Sequence, residues 1–167
     1  MLRTAHSVLG ILNVLNWAIG VPFVFLFGFL AMAPDALPAR LAGEFAPDQI
    51  SALVRWLWVC NIVTLATVPL AHVIFTRLRA MIRDAEAGEV FSLPSIARLR
   101  TVALCLLGIS VADLVFGLAS VEVSQETGEY LGWSPSLSIW LVSGLLFVLA
   151  RIFAEGIAMR EDLEGTV

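Results

Sequence analysis

The sequence predicts an all-α membrane protein, a bundle of four transmembrane helices with both termini in the cytoplasm. Three observations support this fold class. Of the 167 residues, 59% are hydrophobic and 14% are charged, whereas soluble domains average about 45–50% and about 25%. The hydrophobic residues fall into four blocks, and arginines are concentrated in alternate connections. This distribution excludes a soluble globule and a disordered chain, and it predicts contact with a lipid bilayer.

Each block is long enough to cross a hydrocarbon core of about 30 Å, which needs about 20 helical residues. The predicted spans cover about residues 8–32, 53–75, 101–121 and 137–153. Residues 1–167 then form a single membrane domain, with a cytoplasmic loop at 76–100 and a cytoplasmic tail at 154–167. Each span is predicted to be helical because an unpaired backbone amide in lipid costs several kcal/mol.

Proline and glycine mark several positions along these helices. Pro22 and Pro69 lie inside the first and second spans, where neighbouring helices can satisfy the freed carbonyl, so we expect kinks and no breaks. Pro47 is favoured in the first turn of the second helix. Gly88 is predicted to cap the end of that helix, and Ser92 to precede the next one.

Arginine placement predicts the orientation, because cytoplasmic segments of membrane proteins are enriched in basic residues. One side carries eight arginines: Arg3, Arg77, Arg79, Arg83, Arg98, Arg100, Arg151 and Arg160. The other side carries only Arg40 and Arg55. The N-terminus, the middle loop and the tail are therefore predicted to be cytoplasmic.

The ends of the second and fourth helices resemble each other. At a constant offset, Phe75, Ala80, Met81, Asp84 and Glu86 match Phe153, Ala158, Met159, Asp162 and Glu164. A duplicated helical hairpin would produce this match and a pseudo-twofold axis along the membrane normal. Because the first and third helices do not align at that offset, duplication and chance both remain open.

Asp113 lies near the middle of the third span, where an ionisable residue is costly and indicates a functional site. At about 1.5 Å per residue, Asn61 lies at about the same depth, roughly 12 Å below the outer boundary, and Ser143 about 3 Å higher. Asn16 and Thr67 form a second level, nearer the cytoplasm. These residues either build a proton or cation site on Asp113 and Asn61, or join the helices through hydrogen bonds. We favour the second interpretation because polar side chains commonly join helices in lipid.

The sequence contains no catalytic or metal-binding motif. His6 and His72 lack the clustered ligands that a metal site requires. Cys60 and Cys105 differ in depth by about 14 Å, which is too far for a disulfide. We therefore expect a protein that is not an enzyme and that binds no cofactor.

Two cytoplasmic stretches carry a distinctive pattern. Its residues are Gly88, Phe91, Leu99 and Arg100 in the loop, and Phe153, Gly156, Met159, Asp162, Thr166 and Val167 in the tail. With these residues and its four spans, nearly the whole chain resembles the bacterial membrane family catalogued as domain of unknown function 2975. Val90 and Ser95 depart from the family, which commonly has proline and asparagine at these positions.

The resemblance implies an integral inner-membrane protein of unknown activity, often encoded beside a small helix-turn-helix regulator of the Cro type. A regulatory or scaffold role toward that DNA-binding partner is the expected function. Candidate contact residues lie in the tail: Gly156, Asp162, Thr166 and Val167. Docking of this acidic tail on the arginine-rich loop is an open alternative.

The alternative function is a small transporter or channel that uses Asp113 and Asn61. Because four helices enclose little volume, its pore would lie between the subunits of a homo-oligomer. Direct binding of nucleic acid is not expected, since a net charge of −4 gives no phosphate-binding surface.

Overall fold

The computed structural model describes residues 2–88, 92–128 and 131–164, with side chains for 4–88, 92–128 and 131–159. Its elements, in chain order, are α1 (Leu2–Met32), α2 (Ala36–Leu41), α3 (Pro47–Glu86), α4 (Leu93–Thr127) and α5 (Leu137–Glu164). All of these except the short α2 are long and apolar enough to cross a membrane. The predicted fold class, an all-helical chain with four membrane-length helices, is confirmed at this level.

Each long helix contains one of the predicted spans and continues past it. α3 has 40 residues and α4 has 35, which correspond to about 60 Å and about 50 Å of helix. Both lengths exceed the hydrocarbon core of about 30 Å. These two helices therefore carry several turns beyond the length that a membrane crossing needs.

The local signals for helix ends are confirmed. α3 begins at Pro47 and is followed by Gly88, whose φ of 82° is readily adopted only by glycine. Ser92 precedes α4, and its hydroxyl oxygen accepts a backbone N–H from the first turn at 3.4 Å. Pro22 and Pro69 lie inside continuous helices, so neither proline breaks its span.

The four long helices pack as a row. Extensive contacts join α1 to α3, α3 to α4 and α4 to α5, and α2 rests on α3. Among the described residues, no comparable packing joins α1 to α4 or to α5. α4 is the most buried helix of the row, since 28% of its most apolar stretch is buried, against 11% for α1 and for α5.

Neighbouring helices in the row run antiparallel. We call the end at which α1 begins, α3 ends, α4 begins and α5 ends the basal end, and the opposite end the distal end. The arginine pattern of the sequence predicts that the basal end is cytoplasmic. The orientation in the membrane and the duplication of the hairpins stay predictions.

Two glycines permit close contacts within the row. At Gly20, a Cβ would lie 3.0 Å from a methyl carbon of Val68, so α1 and α3 approach closely at this point. At Gly117 on α4, the indole ring of Trp133 occupies the space that a Cβ would need. The non-helical segment 131–136 therefore packs directly on the backbone of α4.

The depth predicted for Ser143 is wrong. Its hydroxyl donates a hydrogen bond to the carbonyl oxygen of Ala103, at 2.8 Å. Ala103 precedes Asp113 by ten residues, or about 15 Å along α4 toward the basal end. Ser143 therefore lies far below the level of Asp113, whereas the sequence argument placed it slightly above.

The physical reason is a displacement of α5 along α4. The depths predicted from the sequence place the outer ends of both helices at one boundary, but α4 continues to Thr127. The chain then returns beside α4, as the contact of Trp133 with Gly117 shows, before α5 begins at Leu137. Helix lengths and loop paths of this kind depend on packing, which counting residues from a boundary does not include.

The substitution Gly117→Ala tests the contact between segment 131–136 and α4. We expect a loss of about 1–3 kcal/mol of stability, because the new methyl group overlaps the indole ring of Trp133. The measurement is thermal unfolding of the full chain in detergent. The control is Gly144→Ala, where a Cβ meets no atom within 4 Å and alanine is the better helix former. Equal stability of the two variants would contradict the contact.

Candidate functional site

Two asparagines within the spans join α1 to α3. The Asn16 side-chain amide donates to the carbonyl oxygen of Val68 at 2.9 Å, and the Asn61 amide donates to that of Phe23 at 3.0 Å. Asn61 is completely buried. A carbonyl oxygen has two lone pairs, so it can accept a side-chain amide in addition to its helical N–H. Both asparagines therefore link neighbouring helices without opening either one.

Ser143 makes the equivalent link between α5 and α4 through the carbonyl of Ala103. Thr67, by contrast, donates to a carbonyl of its own helix at 3.1 Å. The predicted level of Asn16 and Thr67 is partly reproduced, because the acceptor of Asn16 is Val68, the residue after Thr67. Three of the five predicted polar residues thus act across a helix interface.

Asp113 and Asn61 do not form a joint site through any hydrogen bond in the described part of the chain. Asp113 is half-buried on α4 and makes neither a hydrogen bond nor an ion pair with a described residue. The Oδ1 atom of Asn61 is buried and has no described donor. Leaving a buried acceptor without a hydrogen-bond donor costs about 1–3 kcal/mol of stability. The Oδ1 atom of Asn61 is therefore suited to accept a hydrogen bond.

Polar contacts also join α3 and α4 at the distal end. Arg55 lies 3.2 Å from a carboxylate oxygen of Glu122 and 3.1 Å from one of Glu126. The Trp56 indole N–H donates to the hydroxyl of Ser120 at 3.0 Å. The arginine is half-exposed, so solvent screens its ion pairs and they stabilise the fold only weakly. The tryptophan contact lies deeper in the interface.

His72 belongs to a polar group between α1 and α3. Its Nδ1 atom lies 3.1 Å from the Trp17 indole nitrogen and 2.9 Å from Asn13 Oδ1. A neutral imidazole uses Nδ1 either to accept the indole N–H or to donate to the asparagine oxygen, depending on its tautomer. The described residues contain no group of three metal-binding side chains, and Cys60 and Cys105 are free thiols.

An ion pair closes the basal connection between α3 and α4. Arg98 contacts the carboxylate of Asp84, and Ser95 donates to the same carboxylate at 3.3 Å. The side chains of Asp84 and Arg98 are each 23% exposed. This pair was not predicted from the sequence, although the opposite charges on the two sides of Gly88 were a usable signal. The pair holds the end of α3 against the first turns of α4.

An apolar cluster lies beside this ion pair. Ile96 and Leu99 of α4 pack with Ala150 of α5. Further side chains that pack against these three are Met81, Leu146, Phe153, Ala154 and Ile157. We call the unit formed by residues 76–86, 93–100 and 150–164 the basal platform. Its three helix ends are held together by both the apolar cluster and the ion pair.

The described part of the tail, residues 154–164, is the end of α5, and Ala154 and Ile157 pack into the basal platform. Gly156 is exposed on this helix, and its role as a contact residue stays a prediction. Glu155 pairs with Arg151 of its own helix at 2.9 Å, not with an arginine of the loop. The side chain of Asp162 lies outside the described side chains, and Thr166 and Val167 lie outside the described residues. Their contact role therefore stays a prediction.

Comparisons with known proteins identify one family. A family model described as "Protein of unknown function (DUF2975)" matches residues 30–167. The match covers the last part of α1 and all the following helices, including the basal platform. No curated protein and no solved structure matches the chain.

The Asp84–Arg98 pair provides a test of the basal platform. We expect Asp84→Asn to destabilise the chain by about 1–3 kcal/mol, because it leaves the half-buried guanidinium without its carboxylate. The control is Glu155→Gln, which removes an exposed ion pair and should cost less than about 0.5 kcal/mol. Thermal unfolding in detergent measures both variants, and an Asp84→Asn chain as stable as the control would refute the bridging role.

Proposed function

The chain belongs to the DUF2975 family, and we propose that it is a non-enzymatic inner-membrane protein that acts as a regulatory or scaffold partner of a small helix-turn-helix transcription regulator. The observation that carries this proposal is the basal platform. Its three helix ends are held by the Asp84–Arg98 ion pair and by the apolar cluster around Leu99. A packed surface beyond the spans is what a membrane scaffold offers to a soluble partner.

The exposed face of the tail supports a partner of this kind. Glu155, Gly156 and Met159 are exposed on α5, opposite the residues that pack into the platform. The sequence adds further acids in the same helix, Glu161, Asp162 and Glu164. A helix-turn-helix protein presents a basic surface to DNA phosphates. An acidic tail is complementary to that surface, so its binding would compete with operator DNA.

The use of polar residues within the spans supports a role without catalysis. Asn16, Asn61 and Ser143 donate to backbone carbonyls of neighbouring helices. These bonds join α1 to α3 and α5 to α4, so the hydrogen-bond donors of these three side chains serve the assembly of helices. A catalytic site would instead need several titratable groups that converge on one cavity.

The proposal predicts that the acidic tail captures the regulator. The triple variant Glu161→Gln, Asp162→Asn and Glu164→Gln should weaken capture about ten-fold, because exposed charge pairs contribute about 0.2–1 kcal/mol each. The measurement is affinity purification of the full chain from native membranes, with co-purifying proteins and oligomeric state read out together.

The matched control neutralises three exposed acids near the distal end, Asp35, Glu44 and Asp48. It has the same change in net charge and should capture the small DNA-binding protein as well as the unmodified chain does. Recovery of the chain alone, as a homo-oligomer that conducts ions in vesicles, would reject the regulatory role.

A second candidate function is an oligomeric transporter or channel. Two observations favour it: the buried Oδ1 atom of Asn61 has no described donor, and the carboxyl of Asp113 has no hydrogen-bond or ion-pair partner among the described residues. A protonated carboxyl or a hydrated cation could satisfy such an oxygen. The pore would lie between subunits, since the described helices form a row.

This candidate predicts that Asp113→Asn abolishes ion flux in reconstituted vesicles without changing oligomeric state or thermal stability. Stability should be unchanged because Asp113 makes no hydrogen bond or ion pair with a described residue that the substitution would break. Thr67→Val is the control, because it removes a hydroxyl whose one described hydrogen bond lies within its own helix. Equal flux through both variants, or no flux through the unmodified chain, would exclude the candidate.

A further inference from the structure

A basic cavity opens between α1 and α3 at the basal end. It has a volume of about 200 Å³ and is lined by His6, Thr76, Arg79 and Arg83. Both arginines and the histidine can donate hydrogen bonds, as can the threonine hydroxyl. This set of donors is suited to an anionic group with several acceptor oxygens.

An apolar groove continues from the basic cavity along α1. It encloses about 390 Å³ and shares His6 and Arg79 with the basic cavity. Its apolar wall consists of Ile11, Val14 and Leu15, whose exposed fractions are 61%, 68% and 52%. The basic cavity therefore lies at the basal end, and the apolar groove extends from it along α1 toward the predicted first span.

The two arginines of the basic cavity have no carboxylate partner among the described residues. In contrast, Arg55, Arg98 and Arg151 all form ion pairs. Glu86 lines an adjoining cavity with Arg83, but the described structure forms no ion pair between them. The positive charge of the cavity is therefore available to a ligand.

Gly10 brings one of these arginines close to α1. A Cβ at this position would lie 3.7 Å from the Cζ atom of Arg79, so the guanidinium rests against the helix surface. The Nε atom of Arg79 is also 3.4 Å from Nε2 of His6. These contacts keep the half-buried guanidinium at the junction of the basic cavity and the apolar groove.

We propose that the basic cavity and the apolar groove together bind one anionic phospholipid. The phosphate occupies the space between Arg79 and Arg83, and an acyl chain lies along Ile11, Val14 and Leu15. Basic pockets between membrane helices at the cytoplasmic surface are suited to anionic headgroups. The apolar groove distinguishes a lipid from a free phosphate, since only the lipid covers these exposed side chains.

The test is a binding titration on the purified full chain in detergent micelles, with a fluorescent phosphatidylglycerol as the probe. Arg83→Gln is compared with Arg77→Gln, because both arginines are exposed on α3 but only Arg83 lines the basic cavity. We expect Arg83→Gln to weaken binding about five-fold and Arg77→Gln to have little effect. Adding Arg79→Gln should weaken it about five-fold more.

A second variant, Val14→Ser, makes the wall of the apolar groove less hydrophobic without changing any charge, at a side chain that is 68% exposed and does not line the basic cavity. It should reduce phosphatidylglycerol binding and leave binding of glycerol phosphate unchanged. Since Arg83 and Arg77 are both exposed, their variants should fold alike, which thermal unfolding checks.

Three outcomes would overturn the proposal. Equal weakening by Arg77→Gln and Arg83→Gln would indicate a general attraction of the surface to anionic lipid. Glycerol phosphate that binds as tightly as phosphatidylglycerol would indicate a site for a free phosphate. Phosphatidylcholine that binds as tightly would indicate a purely apolar contact.

Discussion

The lack of water in a hydrocarbon core is the constraint on which the rest of this structure depends. Backbone polar groups must be satisfied within each helix, and polar side chains must find partners inside the protein. The chain meets the second requirement with backbone carbonyls, which accept from Asn16, Asn61 and Ser143 across three contacts between helices. These bonds link α1 to α3 and α5 to α4, so the residues that interrupt the apolar spans are also residues that assemble them.

Beyond the spans, water and lipid headgroups can solvate charged side chains. The basal end contains such side chains in two different arrangements. Asp84 and Arg98 neutralise each other and, with the apolar cluster, build a platform from three helix ends. Arg79 and Arg83 instead line a cavity without a described carboxylate. The proposed docking of a soluble regulator uses the exposed face of the tail on α5, whereas the proposed binding of an anionic lipid uses the cavity between α1 and α3. Separate variants therefore test the two proposals.

The candidate sites were only partly predictable from the sequence. Features that depend on one residue in its span were predicted, whereas contacts between residues of different helices were not. Asn61 was identified because an amide within an apolar span needs a partner, whatever that partner is. Its acceptor on α1, by contrast, depends on which helices become neighbours. The Asp84–Arg98 pair was missed because its members belong to different helices, and Ser143 was misplaced because the path of segment 131–136 carries α5 along α4.

The sequence by itself determined that the chain contacts a lipid bilayer and how many helices are long enough to cross it. It also determined helix ends that depend on local signals, such as those at Pro47, Gly88 and Ser92. These features depend on composition and on hydrogen bonds between residues a few positions apart. Only the tertiary structure decided the row of helices, the displacement of α5, the basal platform and the basic cavity. Each of these features depends on how side chains from separate helices fit together. The residues that meet in this way are far apart in the sequence, so the apolar periodicity of a single helix does not predict which of them will be in contact.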